Sequence, residues 1–393
     1  MQDVVIVAAR RTAIGTFGGS LAGIPATELG VKVIQDILAS TGVAPEQVDE
    51  VLLGQVLTAG CGQNPARQTS IRAGLPEETP AYTINKACGS SLKAIDLARA
   101  SLLIEGRRVV VAGGMESMTN APYLLKKHRS GARIGHDTAY DHMFLDGLED
   151  AYEEGRAMGT FAQEMADKYQ LTRESMDEFS IESLRRANAA IESGAFEKEI
   201  VPVTFTNRGG EQTVDTDEGP SKGRPDKIPS LRPAFAKDGT ITAATSSSIS
   251  DGAAAIVLSS ESKAKEKGLK PVARIVAHAA HAQEPAEFTI APVGAIQKVL
   301  DQAGWSVDDV DLWEVNEAFA CVTMFAMQDI GISHDKINVN GGGTALGHPI
   351  GCSGTRIITT LLGALETQGK KRGIASLCIG GGEATAVAVE LID

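Results

Sequence analysis

The sequence has few cysteines, no long apolar run and no excess of positive charge, and each absence excludes a class of protein. Five cysteines, scattered and odd in number, do not form the paired framework of a small disulfide-stapled domain. No apolar run approaches the ~20 residues that a membrane-spanning helix needs. The net charge of −13 argues against nucleic-acid binding, which requires a basic surface. We expect a globular protein of two or three domain-sized units, with neither nucleic acid nor membrane as a partner.

The start of the chain has no pattern typical of a targeting peptide. Residues 1–7 lead straight into a buried-strand pattern, without a basic segment, a long apolar core or an arginine-rich presequence. Because the cytoplasm is reducing, scattered cysteines of this kind are expected to remain thiols there. The sequence therefore predicts a cytoplasmic protein.

Buried strands and amphipathic helices alternate in the first third of the chain. Residues 4–8 and 109–112 have the continuous apolar pattern of buried strands, residues 48–56 are predicted to form a further strand, and residues 26–40 have helical spacing. Continuous apolar strands that alternate with helices indicate an α/β fold with a mainly parallel sheet covered on both faces.

Comparison of the chain with itself reveals an internal duplication. Residues 34–56 align without a gap with residues 296–318, and the six identities include Asp49 with Asp311. Three further segments repeat: 88–91 with 351–354, 111–116 with 378–383, and 4–8 with 273–277. The sequence therefore predicts two copies of one α/β unit.

The duplication divides the chain into three predicted parts. Residues 1–119, completed by residues 240–268, form the N-terminal half, and residues 269–393 form the C-terminal half. Residues 120–239 are rich in charge and loop-forming residues, with a helical pattern over residues 176–193. We predict that they form a loop domain inserted into the first half.

A cysteine stands at a predicted strand-to-helix turn in the first half. A strand-like run over residues 81–84 ends shortly before Cys88, and a helical apolar pattern follows from Leu92. Ser90 or Ser91 is the predicted cap of that helix. Backbone N–H groups and the positive end of the helix favour a thiolate at such a turn. The alternative is an inert cysteine packed under the turn.

Polar residues that differ between the two copies are candidates for chemistry. Cys378 occupies the place of Val111, Asn316 lies opposite Gly54, and His348 lies in an insertion of the second copy. Each has a structural alternative: Cys378 as a core substitute for valine, Asn316 as a turn or cap residue, and His348 as a structural or exposed residue.

These candidates form a coherent chemical set. A thiol nucleophile at Cys88 needs a base, and His348 lies in a glycine-bounded loop. Carbonyl chemistry generates an oxyanion, which backbone N–H groups at Cys88 and Gly380 would stabilise. Cys378 would move a proton to or from carbon. The glycine clusters have neither the G-x-x-x-x-G-K-S/T nor the G-x-G-x-x-G spacing of phosphate-binding loops.

Four motifs carry a resemblance to a known family: Asn85-Lys86-Ala87-Cys88-Gly89-Ser90-Ser91, Asn316-Glu317-Ala318-Phe319, Gly347-His348-Pro349-Ile350-Gly351 and Cys378-Ile379-Gly380-Gly381-Gly382. In this order and with this spacing, the chain resembles the thiolases from residue 4 to residue 391. The resemblance implies two similar halves in a five-layered α/β/α/β/α core, with the loop domain over the active site.

The resemblance also implies a role for each candidate. Cys88 would take an acyl group from acyl-CoA, and His348 would activate it. Cys378 would remove a proton from the acetyl-CoA methyl group in synthesis and return it in cleavage. Asn316 would hold a water that forms one oxyanion hole with His348, while the N–H groups of Cys88 and Gly380 would form the other.

Coenzyme A is implied to lie across the loop domain, with Ser247 against the pantetheine. The positions that match the pocket lining are Leu148, Met158, Phe235, Phe288 and Phe319. Lys222 and Arg224 are candidates for the CoA phosphates, and solvated loop charge is an equal alternative. No metal or redox cofactor is implied, because the thioester itself acidifies the α-carbon.

The expected reaction is the reversible condensation of two acetyl-CoA molecules into acetoacetyl-CoA and CoA. Members specific for acetoacetyl-CoA usually have histidine where this chain has Ala157, and Ser91 replaces a usual glycine. The first departure leaves open a broader 3-ketoacyl-CoA thiolase of fatty-acid breakdown. A non-catalytic thiolase-like subunit and a thiol redox protein are alternatives of other classes. The resemblance further implies a homo-oligomer, a dimer or a tetramer, the latter through the loop around residues 123–133.

Overall fold

The computed structural model describes residues 3–104, 106–207 and 209–392. The strands in these ranges are β1 (Val4–Thr12), β2 (Gly15–Thr16), β3 (Glu50–Gly54), β4 (Ala81–Ile84), β5 (Val109–Ser117), β6 (Tyr123–Leu124), β7 (Tyr140–Asp141), β8 (Ile200–Val201), β9 (Val203–Asn207), β10 (Gly210–Val214), β11 (Ser250–Ser260), β12 (Ala273–Ala282), β13 (Leu312–Val315), β14 (Arg372–Ile379) and β15 (Glu383–Leu391). The helices are α1 (Ala26–Thr41), α2 (Pro65–Arg72), α3 (Ser90–Ile104), α4 (Met158–Lys168), α5 (Arg173–Glu192), α6 (Glu218–Lys222), α7 (Glu261–Glu266), α8 (Ala291–Ala303), α9 (Ala320–Ile330), α10 (Gly343–Leu346) and α11 (Ser353–Gln368). Among the described residues, no helix is long and apolar enough to cross a membrane.

Nine of the strands form one hydrogen-bonded path in the order β13-β14-β15-β12-β1-β11-β5-β3-β4. The two halves meet where β1 and β12 run antiparallel, with Val4 opposite Ile275 and Ile6 opposite Ala273. In the duplication Val4 corresponds to Ala273 and Ile6 to Ile275. The pairing of β1 with β12 therefore lies on an approximate two-fold axis between the halves.

The structure confirms the internal duplication in detail. β1 and β12 each carry a register shift at the matching position. Asp49 and Asp311 each accept two backbone N–H bonds, at the starts of β5 and β14 respectively. α1 and α8 each end at a left-handed glycine, Gly42 and Gly304, as helices commonly do.

The predicted five layers are confirmed by the way the helices pack. α1 covers the outer face of the first-half strands in one buried apolar cluster. α8 and α9 cover the outer face of the second-half strands in another. α3 and α11 lie between the two sets of strands and share a single core with both, which includes Leu92, Ile357 and Leu377.

The prediction of a mainly parallel sheet is wrong, because the sheet is mixed. In the first half, β1, β11 and β5 are antiparallel neighbours, while β5, β3 and β4 are parallel. In the second half, β15 returns beside β14 by a tight turn and is antiparallel to it. Continuous apolar strands indicate that both faces are covered, but they carry no information on strand direction.

The predicted capping of α3 by Ser90 or Ser91 is also wrong, because both hydroxyl groups bond elsewhere. Ser90 Oγ accepts the N–H of Lys86 at 2.8 Å, and Ser91 Oγ accepts the N–H of Thr355 at 2.9 Å. Since Thr355 lies in the first turn of α11, Ser91 caps the helix of the other half. The first turns of α3 and α11 are therefore in direct contact.

The predicted loop domain contains the short strands β6 to β10 and the helices α4, α5 and α6. α5 begins three residues before its predicted start, because the Thr172 hydroxyl accepts the N–H of Ser175 at 3.1 Å and caps the helix. Two buried carboxylates, Glu199 and Asp217, bind Arg11 of β1 at 2.6 and 2.7 Å. These ion pairs fasten the region to the first half, while the bounds of the loop domain stay a prediction.

Substitution of Gly114 by alanine should destabilise the contact between the halves. A Cβ atom at Gly114 would overlap the carbonyl oxygen of Gly351 and approach the Ser91 side chain. We expect a loss of about 1–3 kcal/mol in unfolding free energy, as for other overpacked cores, and hence a lower Tm. Gly23→Ala is the matched control, because a Cβ there meets nothing within 4 Å. Equal melting temperatures for the two variants would contradict the prediction.

Candidate active site

A cavity of about 420 Å³ brings together residues of both halves and of the loop region. It is lined by four of the predicted catalytic residues, Cys88, His348, Cys378 and Gly380. The predicted pocket residues also lie in its wall: Leu148, Met158, Phe235, Ser247, Phe288 and Phe319. The walls are mostly apolar, so a bound group would be largely removed from water.

The Cys88 turn is fixed by hydrogen bonds from both halves. Ala87 adopts a left-handed conformation, with φ of +44°, between β4 and α3. The Ser90 hydroxyl donates to the Ala87 carbonyl at 2.6 Å and accepts the N–H of Lys86. The Lys86 ammonium pairs with Glu383 of the second half. The sulfur is therefore presented to the cavity by a braced turn rather than by a mobile loop.

Burial keeps the Cys88 thiol protonated in the free protein. The residue as a whole is partly exposed, but its sulfur is enclosed, and burial raises the pKa of the thiol to about 11. The N–H groups of Gly380 and Cys88 point at the sulfur and lower the pKa, although by less than burial raises it. The turn alone therefore does not produce the thiolate that the sequence pattern suggested.

His348 is a neutral imidazole at the cavity wall. Burial, together with the nearby Arg356 guanidinium, lowers its pKa to about 3. Its Nδ1 atom lies 2.5 Å from Ser353 Oγ, and its Nε2 atom has no hydrogen-bond partner among the described residues. His348 is therefore neutral throughout the physiological pH range, with one ring nitrogen free to accept a proton, although its lowered pKa makes it a weak base.

Asn316 lies behind His348 rather than in the cavity wall. It follows β13 directly and is buried. Its Nδ2 atom is 3.4 Å from His348 Nδ1, and its Oδ1 atom accepts from Arg356 at 3.4 Å. The structure therefore brings Asn316 to the site through its contact with His348.

Cys378 is the penultimate residue of β14 and lies beside the other reactive residues. Burial raises the pKa of its thiol well above the ordinary value, and the nearness of the Cys88 sulfur adds to this. The proximity of two thiols in an enclosed space disfavours two thiolates at once. Both sulfurs are therefore protonated at rest, and at most one of them is expected to carry a negative charge at a time.

The two predicted phosphate contacts lie outside the main cavity. Lys222 and Arg224 line a separate cavity of about 380 Å³, beside Lys227. The Lys222 ammonium already pairs with Glu218 at 2.7 Å and donates to Thr16 at 2.7 Å. Their role toward a ligand stays a prediction.

Several residues of the site were not identified from the sequence. Met118, Phe144 and Ile350 complete the apolar wall of the cavity. Ser353 and Arg356, on the first turn of α11, contact His348 and Asn316 respectively. For Ser353 a signal existed, since it matches Ser90 in the duplication, whereas the contacts of Arg356 depend on the packing of helix on strand.

Metal-ligating side chains do not cluster in the part of the chain that the structure describes: it contains no group of three His, Cys, Asp or Glu residues able to hold an ion.

Comparisons with known proteins agree over the whole chain. The family model described as "Thiolase, N-terminal domain" matches residues 4–262, and "Thiolase, C-terminal domain" matches residues 269–391. The acetyl-CoA acetyltransferase of Pseudomonas aeruginosa is 51% identical over 389 residues, which cover 98% of this chain and 99% of that protein. The acetyl-CoA acetyltransferase of Allochromatium vinosum is 50% identical over 391 residues, 99% of each chain. The crystal structure of the Bacillus anthracis acetyl-CoA acetyltransferase superposes with a TM-score of 0.97 at 42% identity, covering 100% of this chain and 99% of that one.

Alkylation of Cys88 by iodoacetamide should show the raised thiol pKa directly. Because the pKa is about 11, the thiol stays protonated up to that value, and the rate should keep rising beyond pH 9. An ordinary cysteine, with a pKa of about 8.5, would level off earlier. Mass spectrometry of the Cys88 peptide gives the rate, with glutathione alkylated in parallel as the control. A plateau near neutral pH would instead indicate a preformed thiolate–imidazolium pair.

Proposed function

Because the chain belongs to the thiolase family, we propose that it is an acetyl-CoA C-acetyltransferase, like the relatives described above. The family resemblance inferred from the sequence motifs is confirmed. The proposed reaction joins two acetyl-CoA molecules into acetoacetyl-CoA and CoA, and it is reversible. The observation that carries the proposal is the meeting of Cys88, His348 and Cys378 around one apolar cavity.

Cys88 is the proposed nucleophile of the first half-reaction. Its sulfur attacks the carbonyl carbon of acetyl-CoA while its proton passes to the neutral imidazole of His348. The carbon–sulfur bond to CoA then breaks, and the departing CoA thiolate takes the proton from the imidazolium. The N–H groups of Cys88 and Gly380, which already face this sulfur, are positioned to bind the oxyanion.

Cys378 is the proposed base of the condensation. The Cys378 thiol would first pass its own proton to the neutral imidazole of His348. The Cys378 thiolate would then remove a proton from the methyl group of the second acetyl-CoA, and the resulting carbanion would attack the acetyl group on Cys88. The Cys88 thiolate is released as the new carbon–carbon bond forms, and it takes the proton held by His348. By family resemblance, His348 and a water held by Asn316 would stabilise the enolate oxygen; the contact of these two side chains supports this.

The apolar wall fits the pantetheine and acyl parts of a CoA thioester. Phe235 and Phe319 meet edge to face, with ring centroids 5.9 Å apart. The Ser247 N–H is bound to the Ala318 carbonyl at 2.9 Å, which fixes the Ser247 residue in the wall. We propose Ser247 as the pantetheine contact and Lys222 and Arg224 as contacts of the CoA phosphates. The proposed chemistry uses no metal or redox cofactor, because the thioester acidifies the α-carbon.

Separate measurements of acylation and of condensation test the roles of the two cysteines. Incubation with radiolabelled acetyl-CoA should label the native protein and Cys378→Ala, because Cys378 acts only after acylation. Cys88→Ala should take up no label. Cys378→Ala should also lose acetoacetyl-CoA synthesis by a factor of about 10²–10⁴, the usual contribution of a positioned base. Label on Cys88→Ala, or normal synthesis by Cys378→Ala, would contradict the mechanism.

A broader 3-ketoacyl-CoA thiolase is the second candidate, and one observation favours it. Ala157 lies in the cavity wall beside Met158, at the position where a histidine is usual in acetoacetyl-CoA-specific members. A methyl group there narrows the cavity less than an imidazole does, and it offers no hydrogen bond to a short polar substrate. The acyl pocket is therefore open to longer chains at this point.

Thiolysis of 3-ketoacyl-CoA substrates of increasing length decides between the two candidates. For the acetyltransferase we expect kcat/KM to be highest with the four-carbon substrate and at least about tenfold lower with six carbons, because the longer chain adds two methylene groups and even one can change kcat/KM by about tenfold or more. Ala157→His should sharpen this preference. If six-carbon or longer substrates have the higher kcat/KM, the short-chain assignment is wrong.

We further propose that the protein is a cytoplasmic homo-oligomer, a dimer or a tetramer. β4 is an edge strand, and the exposed Tyr82 on it offers an apolar contact to a second copy. Tyr123, Leu125 and Ile134 are exposed in the loop region and would be covered in a tetramer. All five cysteines are described and are free thiols, which fits a reducing compartment.

A further inference from the structure

The His348 imidazole has a very close neighbour on α11, the Ser353 hydroxyl. Nδ1 and Ser353 Oγ are 2.5 Å apart, and both residues are buried. The same Oγ atom lies 2.9 Å from the carbonyl oxygen of Pro349. A hydroxyl group therefore stands between an imidazole nitrogen and a carbonyl oxygen.

The direction of the bond to His348 depends on where the single Ser353 proton goes, to Nδ1 or to the Pro349 carbonyl oxygen, which also accepts the N–H groups of Cys352 and Ser353. A serine hydroxyl has one proton, and a carbonyl oxygen accepts without being able to donate. If the Ser353 proton goes to Pro349, the hydroxyl oxygen is left to accept, and Nδ1 must carry the proton of the imidazole. Nε2 then has a free lone pair. This is also the nitrogen that has no partner among the described side chains and backbone groups.

The neighbouring Asn316 amide does not compete for Nδ1. Its Nδ2 atom is 3.4 Å from Nδ1, well beyond the usual hydrogen-bond distance of about 2.9–3.0 Å. The Asn316 oxygen lies equally far, 3.4 Å, from its donor on Arg356, so both contacts of this amide are long. An N–H donor beside Nδ1 favours a lone pair on that nitrogen, but at 3.4 Å this contact is weaker than the one with Ser353 at 2.5 Å.

Arg356 helps to keep the His348 imidazole neutral, and only a neutral imidazole has two alternative tautomers. Its guanidinium is buried, and its positive charge adds to burial in disfavouring the imidazolium form of His348. Neutral imidazole carries one proton on either nitrogen, and the hydrogen bond at one nitrogen decides which.

The two halves use matching serines for different purposes. Ser90, the counterpart of Ser353, accepts a backbone N–H and donates to the Ala87 carbonyl. Ser353 likewise donates to a carbonyl of the preceding turn, but its second partner is a side chain, His348. The equivalent hydroxyl group therefore bonds to a backbone N–H in the first half and to the His348 imidazole in the second.

We propose that Ser353 is a positioning residue that holds His348 with a proton on Nδ1 and a free lone pair on Nε2, the form able to take the Cys88 proton. The inference rests on the proposed roles of Cys88 and His348. In the step concerned, the Cys88 proton moves to Nε2 as the sulfur attacks the thioester carbon. The other ring proton stays on Nδ1, where it is bonded to Ser353 Oγ. The proton on Nε2 is then taken up by the departing CoA thiolate, which leaves as the thiol.

Turnover of Ser353→Ala, beside a matched control, tests the proposal. Without the hydroxyl, Nδ1–H has no acceptor, and the tautomer with Nε2–H, which is not a base toward Cys88, becomes populated. We expect kcat for acetoacetyl-CoA thiolysis to fall about tenfold to a hundredfold, as for other supporting hydrogen bonds, with KM within about twofold. Thr359→Val is the control, because Thr359 also donates to a carbonyl four residues earlier in α11. It should retain kcat and KM.

Nitrogen NMR of protein with ¹⁵N-labelled histidine supplies the readout that a merely structural role would not move. The His348 signals, identified by their loss in His348→Asn, should show Nε2 unprotonated and Nδ1 protonated in the native protein. In Ser353→Ala the proton should shift toward Nε2. Should Ser353→Ala fail to fold, the native spectrum still decides.

Three results would overturn the proposal: a proton on Nε2 in the native protein, native kcat in Ser353→Ala, or a loss of kcat without a change of tautomer. The proposed function fails separately, if Cys88→Ala still takes up label from acetyl-CoA. Native turnover by Ser353→Ala together with an unlabelled Cys88→Ala would overturn the role of Ser353 alone.

Discussion

The contact between the first turns of α3 and α11 is the constraint on which the site depends. Ser91 of α3 donates to the carbonyl of Cys352 and accepts the N–H of Thr355, so each half completes the other at this point. Glycines allow the approach, since a Cβ atom at Gly354 would lie 2.7 Å from the Leu92 nitrogen. The contact places the Cys88 turn of one copy beside the His348 loop of the other, and neither copy alone holds both groups.

The second general feature of the site is that enclosure keeps every reactive group neutral. Burial raises the pKa of both thiols and lowers that of His348. No charge therefore has to be stored in the resting cavity, and charge arises only when a proton is transferred during reaction. Backbone N–H groups and the positive ends of two helices then act on that charge at short range, in a space from which water is largely excluded.

Much of the fold and of the candidate site could be predicted from a comparison of the two halves of the sequence. Positions that agree between the halves belong to the shared fold, and polar residues that differ are candidates for the site. The duplication gave the matching of β3 with β13 and of α1 with α8, and Asp49 and Asp311 indeed occupy equivalent places. The polar residues that broke the duplication, among them Cys378 and His348, line the cavity. The strand directions were wrong, since an apolar run reports burial of both faces and not direction. The cap of α3 was wrong because Ser91 found a donor on α11, far away in sequence.

The sequence by itself determined where the apolar segments lie, that one unit occurs twice and which residues are candidates for chemistry, because residue type and spacing are local properties. Only the tertiary structure decided how the halves face each other and which groups then touch. The protonation states of Cys88 and His348 belong to this second class, because they depend on burial and, for Cys88, on the N–H group of Gly380, which lies far away in the sequence.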